Sequence, residues 1–199
     1  MNRQDIIKLY TERQSQFELL KNEAHKIVSD QLKMRGIKFR LDERVKELDH
    51  LIKKSRRKKM EDPFTEMTDI VGLRVVYLFQ GDIEIIKGVI RNSFRVVKED
   101  DKPSEIEIDV FKYAVPHFDV KLPEKFRKQD IGDMTFEIQV PTICQDAWVA
   151  LSHCFYKGEG KIPSKLEKDF YALNGLFYVA DTHFEILRPR MLDKVSYFL

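Results

Sequence analysis

The chain has 199 residues, of which 43% are hydrophobic and 34% are charged, a composition typical of one soluble globular domain. No apolar run reaches the roughly 18 residues of a membrane span, and the first residues lack the apolar centre of a signal peptide. We therefore expect a cytoplasmic protein with no membrane partner. The formal net charge of +2 excludes a polycation that binds nucleic acid with its whole surface.

The first half of the chain predicts two helices around a strand, followed by a buried strand. Apolar residues recur at helical spacing from residue 3 to about 34, which predicts one long amphipathic helix that ends at Gly36. Ile37–Leu41 alternates apolar and basic residues and predicts a strand, and helical spacing resumes over residues 44–60. Asp62 and Pro63 end that helix, and the apolar run over residues 71–79 predicts a buried strand.

The second half predicts several short strands and two more helices. Asp82 is expected to cap a helix over residues 83–92. Short strands are predicted over residues 94–98, 106–110, 117–122 and 134–140. Helices are predicted from Pro141 to about Tyr156 and from Ser164 to about Leu187, where Pro189 is expected to stop the second. Cys144 and Cys154 are expected to be buried thiols without a redox role, because no metal-ligand or CxxC spacing is present.

This order of elements predicts an α+β fold, with a mixed sheet of about five strands, flanking helices and long helices at both termini. We expect an N-terminal helical extension over residues 1–36, a core over 37–160 and a C-terminal helical segment over 161–199 that packs on the core, together one domain. Long helices at both ends also favour a homo-oligomer.

Two acidic residues are candidates for a magnesium site. Asp69 stands at the entrance of the strand over 71–79, and Glu137 lies between Phe136 and Ile138, so that it points away from the face those two bury. Two carboxylates on neighbouring strands can hold Mg²⁺ against nucleotide phosphates. Taken singly, Asp69 also fits a turn residue, and Glu137 fits any half-exposed strand acid. Arg74, a charge inside an apolar strand, needs a partner.

Cationic and aromatic side chains extend this candidate site. Arg44, Lys46 and Lys54 can meet at a strand-to-helix corner, where fixed cations stabilise a transferring phosphoryl group, although ordinary surface basicity explains them equally well. Tyr113 and His117 can stack on a base or belong to the core. No glycine-rich phosphate loop is present, so any bound phosphates would depend on side-chain cations and metal.

Read together, five motifs resemble the synthetase domain of RelA/SpoT-type alarmone synthetases over about residues 37–160. The motifs are Arg44-x-Lys46-x₇-Lys54, Asp69-Ile70-x-Gly72-x-Arg74-Val75-Val76, Tyr113-x₃-His117, Glu137-Ile138-Gln139-Val140-x-Thr142 and His153-x₂-Tyr156-Lys157. The resemblance implies a nucleotidyltransferase-like fold. It also implies Mg²⁺-dependent transfer of pyrophosphate from ATP to the ribose 3′-hydroxyl of GDP or GTP, which makes (p)ppGpp.

The resemblance also implies a role for each matching residue. Asp69 and Glu137 would be the catalytic residues and metal ligands, with Glu137 also helping to deprotonate the 3′-hydroxyl. The implied ATP-binding residues are Arg44, Lys46, His50, Lys54 and Arg74. The implied acceptor-binding residues are Lys112, Tyr113 as a stacking ring, His117, Gln139, His153 and Lys157.

Four positions depart from the family pattern, and most of them belong to the acceptor side. His50 replaces a usual serine, Lys112 and Val115 replace a glycine and a serine around the stacking tyrosine, and Pro141 replaces an arginine. Two alternatives therefore stay open. The same transfer can be directed to another acceptor, the 3′ end of tRNA or an adenosine nucleotide, as in toxin-type relatives, or the chain can be a non-catalytic nucleotide-binding module.

Overall fold

A computed structural model describes residues 1–100, 115–126, 131, 133–156 and 164–195 of the chain. Six helices and five strands are described, in the order α1 (Arg3–Met34), β1 (Phe39–Val45), α2 (Leu48–Lys58), α3 (Pro63–Glu66), β2 (Val71–Tyr77), α4 (Ile83–Ser93), β3 (Arg95–Asp100), β4 (His117–Lys121), β5 (Thr135–Gln139), α5 (Ile143–Tyr156) and α6 (Glu167–Val195). The predicted strand over 106–110 lies outside the described residues. No helix in the described part of the chain is both long and apolar enough to span a membrane.

The strands form one mixed sheet in the order β1-β2-β5-β4-β3. The central pair β2 and β5 is parallel, whereas the other neighbouring strands are antiparallel. A mixed five-stranded sheet with flanking helices and a long helix near each end confirms the predicted α+β fold. It also confirms that the strand after Asp69 and the strand that carries Glu137 are neighbours.

Helix α1 covers one face of the sheet with the apolar side that its sequence spacing predicts. The side chain of Asn2 caps its first turn, and the chain leaves it through Gly36, whose φ of 70° suits glycine. Phe17 and Leu20 are buried in the same core cluster as Val75 of β2 and Phe136 of β5. The cluster joins the N-terminal helix to the sheet, because burial of this apolar surface stabilises the contact.

Alternation along the strands leaves the opposite face of the sheet polar. In β5, Phe136 and Ile138 are fully buried, while Glu137 and Gln139 are only partly buried. The same pattern holds in β4, where Phe118 is buried and His117 is partly exposed. Because successive strand residues point to opposite faces, the polar side chains of β1, β2, β5 and β4 share one open surface.

The boundaries of several elements differ from the predictions, and two of these differences change how residues are interpreted. The first strand was expected over Ile37–Leu41, but β1 extends to Val45 because it pairs with the whole length of β2. Arg44 therefore belongs to a strand and not to a helix. The prediction that Pro189 stops the last helix is wrong, since α6 continues through it to Val195.

Two side-chain predictions hold only in part. Asp82 is the N-cap residue of α4, as predicted, but its carboxylate makes no capping hydrogen bond; it accepts one from Arg188 of α6 instead, at 2.5 Å. Cys144 is buried as expected, but Cys154 is exposed, because it lies on the outer side of α5.

Candidate functional site

The centre of the polar face lies where β1, β2 and β5 run side by side. Gly72 of β2 is opposite Arg44 on one side and Glu137 on the other. A Cβ at Gly72 would meet the Arg44 side chain at 3.9 Å, an ordinary contact distance, so that side chain lies directly over the glycine. The absence of a side chain at Gly72 leaves an open floor between a cation and a carboxylate.

Asp69 lies just before β2 and binds two lysines with one of its oxygens. Its Oδ2 accepts hydrogen bonds from Lys46 Nζ at 2.7 Å and from Lys54 Nζ at 2.6 Å. Burial raises the pKa of the Asp69 carboxyl, but the hydrogen bonds and charges of the two lysines outweigh that effect and hold the pKa below its usual value. Asp69 is therefore an ionised carboxylate at neutral pH, with two of the three predicted cations, Lys46 and Lys54, bound to it.

The second oxygen of Asp69 fits a hard metal ion. Asp69 Oδ1 is buried and has no hydrogen-bond partner among the described residues. A buried carboxylate oxygen without a partner costs free energy, and a cation beside it would remove that cost. The described residues contain no group of three or more His, Cys, Asp or Glu side chains that could hold a metal. Mg²⁺ is consistent with this, because it often takes one or two carboxylates and completes its shell with water and phosphate.

Glu137 is held by neighbours on β4 and β5. Its Oε1 is 3.2 Å from His117 Nδ1, and its Oε2 accepts a hydrogen bond from Gln139 Nε2 at 2.7 Å. Burial raises the pKa of Glu137 and the charge of Asp69 acts in the same direction, but His117 and Gln139 outweigh both and lower the pKa. The charge of Asp69 is thus one of the causes that act on the Glu137 carboxyl.

Arg74 connects this carboxylate to helix α5. Its Nε and Nη2 donate to Gln139 Oε1 at 3.1 and 2.8 Å, and its Nη1 donates to Asp146 Oδ1 at 3.0 Å. Asp146 Oδ2 also accepts a hydrogen bond from Arg40 Nη2, 2.5 Å away. The guanidinium of Arg74, a charge inside an apolar strand, thus has hydrogen-bond partners on the polar face.

Two adjoining pockets open on this face. The first has a volume of about 160 Å³ and lies over Gly72, between Arg44 and Glu137. The second has a volume of about 350 Å³ and reaches from His117 to His153 on α5. Both pockets are lined by Arg44, Arg74 and Gln139. Two adjoining pockets that share polar lining residues can hold two ligands close enough to react with each other.

The structure brings most of the predicted site residues together. Around the two pockets and Asp69 it places Arg44, Lys46, Lys54, Asp69, Arg74, His117, Glu137, Gln139 and His153. His50 lines neither pocket; its side chain is 67% exposed on α2 and pairs with Glu47 at 3.5 Å. Lys112, Tyr113 and Lys157 lie outside the described residues.

Asp146 is the site residue that sequence reasoning missed. It lines the second pocket with Val149 and His153, which are three and seven residues further along α5. That spacing places all three on one helical face and was a usable signal. Two of the departures from the family pattern, Val115 and Pro141, line the same pocket.

Comparisons with known proteins show which family the chain resembles. A family model described as the region found in RelA / SpoT proteins matches residues 43–161. The chain is 32% identical to the GTP pyrophosphokinase YjbM of Bacillus subtilis (strain 168) over 130 residues, which span 62% of this chain and 59% of that protein. The match to this curated relative thus covers less than two thirds of the relative's length.

Solved structures of related chains have the same fold. Small alarmone synthetase 1 of Bacillus subtilis superposes with a TM-score of 0.70 at 25% identity, over 94% of this chain and 97% of that chain. Its structure bound to its product pppGpp gives a TM-score of 0.69 at 26% identity, over 92% of this chain and 96% of that chain.

Proposed function

The chain belongs to the RelA/SpoT family, and we propose that it transfers pyrophosphate from ATP to the ribose 3′-hydroxyl of GDP or GTP, with Mg²⁺, to make (p)ppGpp. The observation that carries this proposal is the arrangement of Asp69. One of its oxygens binds two lysines, the other is buried without a hydrogen-bond partner, and its charge acts on a second carboxylate, Glu137. Pyrophosphate transfer needs positioning and charge neutralisation more than a covalent nucleophile.

On the donor side, the cations of the first pocket and of the Asp69 cluster hold the ATP phosphates. Arg44 faces the pocket floor, and Lys46 and Lys54 are fixed by Asp69, so their charges do not need to be ordered when ATP binds. Arg74 lies at the junction of the two pockets and contacts ATP from there. His50 is retained as an ATP-binding prediction from the sequence alone.

The metal is assigned to Asp69 and Glu137. Both carboxylates are ionised at neutral pH because their pKa values are lowered, and Asp69 Oδ1 is free to act as a ligand. When bound there, Mg²⁺ supplies Lewis-acid neutralisation of charge on the phosphates.

On the acceptor side, Glu137 accepts the proton of the 3′-hydroxyl, and His117 and Gln139 hold its carboxylate in place. His153 closes the second pocket from α5. Lys112, Tyr113 and Lys157 complete the acceptor site by sequence resemblance, with the ring of Tyr113 stacked on the base. A cytoplasmic location is part of the same proposal.

A second acceptor class has an observation of its own. Val115 and Pro141, two of the departures from the family pattern, both line the second pocket, where the acceptor is assigned. The same transfer to the 3′ end of tRNA or to an adenosine nucleotide is therefore the alternative, and the test separates it from the first proposal.

The test measures where the label of γ-labelled ATP goes in the presence of Mg²⁺ and one acceptor at a time. The acceptors are GDP, GTP, AMP and deacylated tRNA. We expect label on GDP or GTP and none on the other two. Label only on AMP or tRNA would replace the guanosine acceptor by the alternative. Bound nucleotide without transfer to any acceptor would leave only the non-catalytic module.

Variants of the two carboxylates show whether the transfer occurs at this site. We expect Asp69→Asn and Glu137→Gln each to lower kcat by roughly 100-fold or more, as expected for a lost preorganised charge. Glu124→Gln is the matched control, because Glu124 is an exposed acid in the turn after β4. Equal activity of Glu137→Gln and Glu124→Gln would contradict the assignment.

A further inference from the structure

Helix α5 lies between the second pocket and the C-terminal helix. One of its faces lines the pocket with Asp146, Val149 and His153. Another face carries Trp148, whose ring packs on the Phe170 ring of α6 with centroids 4.4 Å apart. The position of the pocket wall therefore depends on how α5 is fixed to α6.

The start of α5 is fixed by a buried polar contact with α6. Thr142 and Gln145 cap each other reciprocally: Thr142 Oγ1 accepts from the Gln145 amide at 3.0 Å, and Gln145 Oε1 accepts from the Thr142 amide at 2.8 Å. The hydroxyl of Thr142 donates to Asp181 Oδ2 of α6 at 2.5 Å. Thr142 and Asp181 are each only 1% exposed, so water cannot replace this bond.

Asp181 is a costly residue in this position. It is buried, its Oδ1 has no hydrogen-bond partner among the described residues, and burial raises its pKa to about 7, although a hydrogen bond with Gln80 acts in the opposite direction. An apolar side chain would avoid that cost if the only need were to pack α6 against α5 and the turn after β2. The carboxyl is thus better explained by what it does for Thr142.

Two further contacts hold α6 against the turn after β2. Arg188 donates to Asp82 and lies over the Phe79 ring at 4.9 Å from its centroid. Glu185 Oε2 accepts from the Gly81 amide at 2.9 Å. Helix α6 therefore bridges the end of β2, the strand of Arg74, and the start of α5, the helix of Asp146.

We infer that Asp181 is a positioning residue for the acceptor pocket, acting through the hydroxyl of Thr142 on the N-terminus of α5. Moving that N-terminus displaces Asp146, and Asp146 is the residue that binds Arg74 across the junction of the pockets. Asp181 touches neither pocket. The inference depends on the proposed function in one respect: it takes the ligand of the second pocket to be the acceptor nucleotide.

The first experiment compares Asp181→Leu, which removes the acceptor of the hydrogen bond, with Asp181→Asn, which keeps an oxygen for Thr142. We expect Asp181→Leu to raise KM for GDP or GTP by about tenfold, in line with a buried partner left unsatisfied. KM for ATP should rise by a smaller factor, because the displaced Asp146 also binds Arg74. Asp181→Asn should restore KM to within about twofold of wild type. Asp169→Leu, at an exposed aspartate of the same helix, is the matched control.

Hydrogen exchange gives a readout that does not need catalysis. In Asp181→Leu we expect faster amide exchange over residues 142–156, with exchange in α1 and β2 unchanged. If wild type transfers no pyrophosphate, the proposed function fails, while this exchange pattern still tests the coupling. Faster exchange throughout the chain would mean general destabilisation and would overturn the inference, as would a wild-type acceptor KM in Asp181→Leu.

If Asp181→Leu does not fold, variants of Thr142, the hydrogen-bond donor to Asp181, test the same inference. Thr142→Ser keeps the hydroxyl, whereas Thr142→Val keeps the shape and removes it. We expect Thr142→Val to reproduce the rise in acceptor KM and the faster exchange over 142–156, and Thr142→Ser to resemble wild type. Equal behaviour of the two variants would overturn the inference.

Discussion

Single side chains determine where the charges of the polar face point. Asp146 accepts hydrogen bonds from both Arg74 and Arg40, so one carboxylate on α5 fixes a guanidinium from β2 and another from β1. Arg74 is also bound to Gln139, which in turn donates to Glu137. The cation assigned to ATP and the carboxylate assigned to the acceptor thus belong to one hydrogen-bond network, so a change at either end is felt at the other.

This network predicts the effect of removing the charge of Asp146. Asp146→Asn keeps the shape but weakens the bonds to Arg74, so we expect kcat/KM to fall about tenfold through lost positioning. A double-mutant cycle with Arg74→Gln is the measurement. If Asp146 acts through Arg74, adding Asp146→Asn to Arg74→Gln should cause little further loss. Additive losses in the double variant would show that Asp146 acts independently.

Residues whose roles depend on local pattern were predictable, and residues whose roles depend on distant contacts were not. The alternation of β5 placed Glu137 on the open face, and the spacing of Lys46 and Lys54 favoured their meeting at a strand-to-helix corner, where both bind Asp69. Asp146 was missed because its partners come from β1 and β2, more than 70 positions earlier in the chain. A helical spacing shows which residues share a face but not what that face meets.

At the scale of elements, the same distinction separates the correct from the wrong predictions. Helix α1 and strand β5 follow from periodicity and were confirmed. Asp82 is the N-cap residue of α4 as predicted, but its carboxylate makes no capping bond because Arg188, from the last helix, binds it. The predicted helix end at Pro189 is wrong for a related reason. Arg188 and Glu185, next to the proline, hold α6 against the turn after β2, and this packing outweighs the destabilising effect of one proline inside the helix.

The attachment of α6 predicts a dependence of stability on pH. Burial raises the pKa of Asp181 to about 7 in the folded protein from an ordinary value of 3.8. The folded state therefore favours the protonated carboxyl, so the contribution of this group to stability is greatest below about pH 4. It is lost as the pH rises toward 7, by at most about 1.4 kcal/mol per pH unit.

Urea unfolding of wild type and Asp181→Asn between pH 5 and pH 8 measures this effect. We expect the free energy of unfolding of wild type to fall relative to the variant up to about pH 7 and then to stay level. The charged groups nearby on α6 and the adjoining turn are Asp82, Glu185 and Arg188, and the exposed His183 is also close in sequence. All are present in both proteins and cancel in the difference. A difference independent of pH would contradict the prediction.

At the scale of the whole molecule, the chain separates its two kinds of surface. One side of the sheet is covered by α1 and α4, and the other carries the polar residues of the site. Helix α6 uses one face to hold α5 and the turn after β2, and it exposes large apolar side chains elsewhere. Those exposed by 40% or more include Tyr171, Leu173, Leu176, Tyr178, Val179, Phe184, Ile186 and Leu187.

This exposed surface is where we predict that a homo-oligomer forms. Leu176 is 63% and Leu187 is 43% exposed, and eleven residues apart on a helix they lie nearly on the same side. A helix that exposes this many large apolar side chains is a candidate interaction site on a folded protein. A second copy of the chain presents the same helix, so a two-fold contact between α6 helices would bury both surfaces at once.

Light scattering coupled to gel filtration tests this. We expect wild type to elute as an oligomer and the double variant Leu176→Glu/Leu187→Glu to shift toward the mass of one chain, because two carboxylates at the contact cannot be buried unpaired. Lys168→Glu is the control, since it places a glutamate on an exposed polar position of the same helix. A wild type that stays monomeric at about 100 μM, well above a micromolar Kd, would show that the apolar face of α6 has a different purpose.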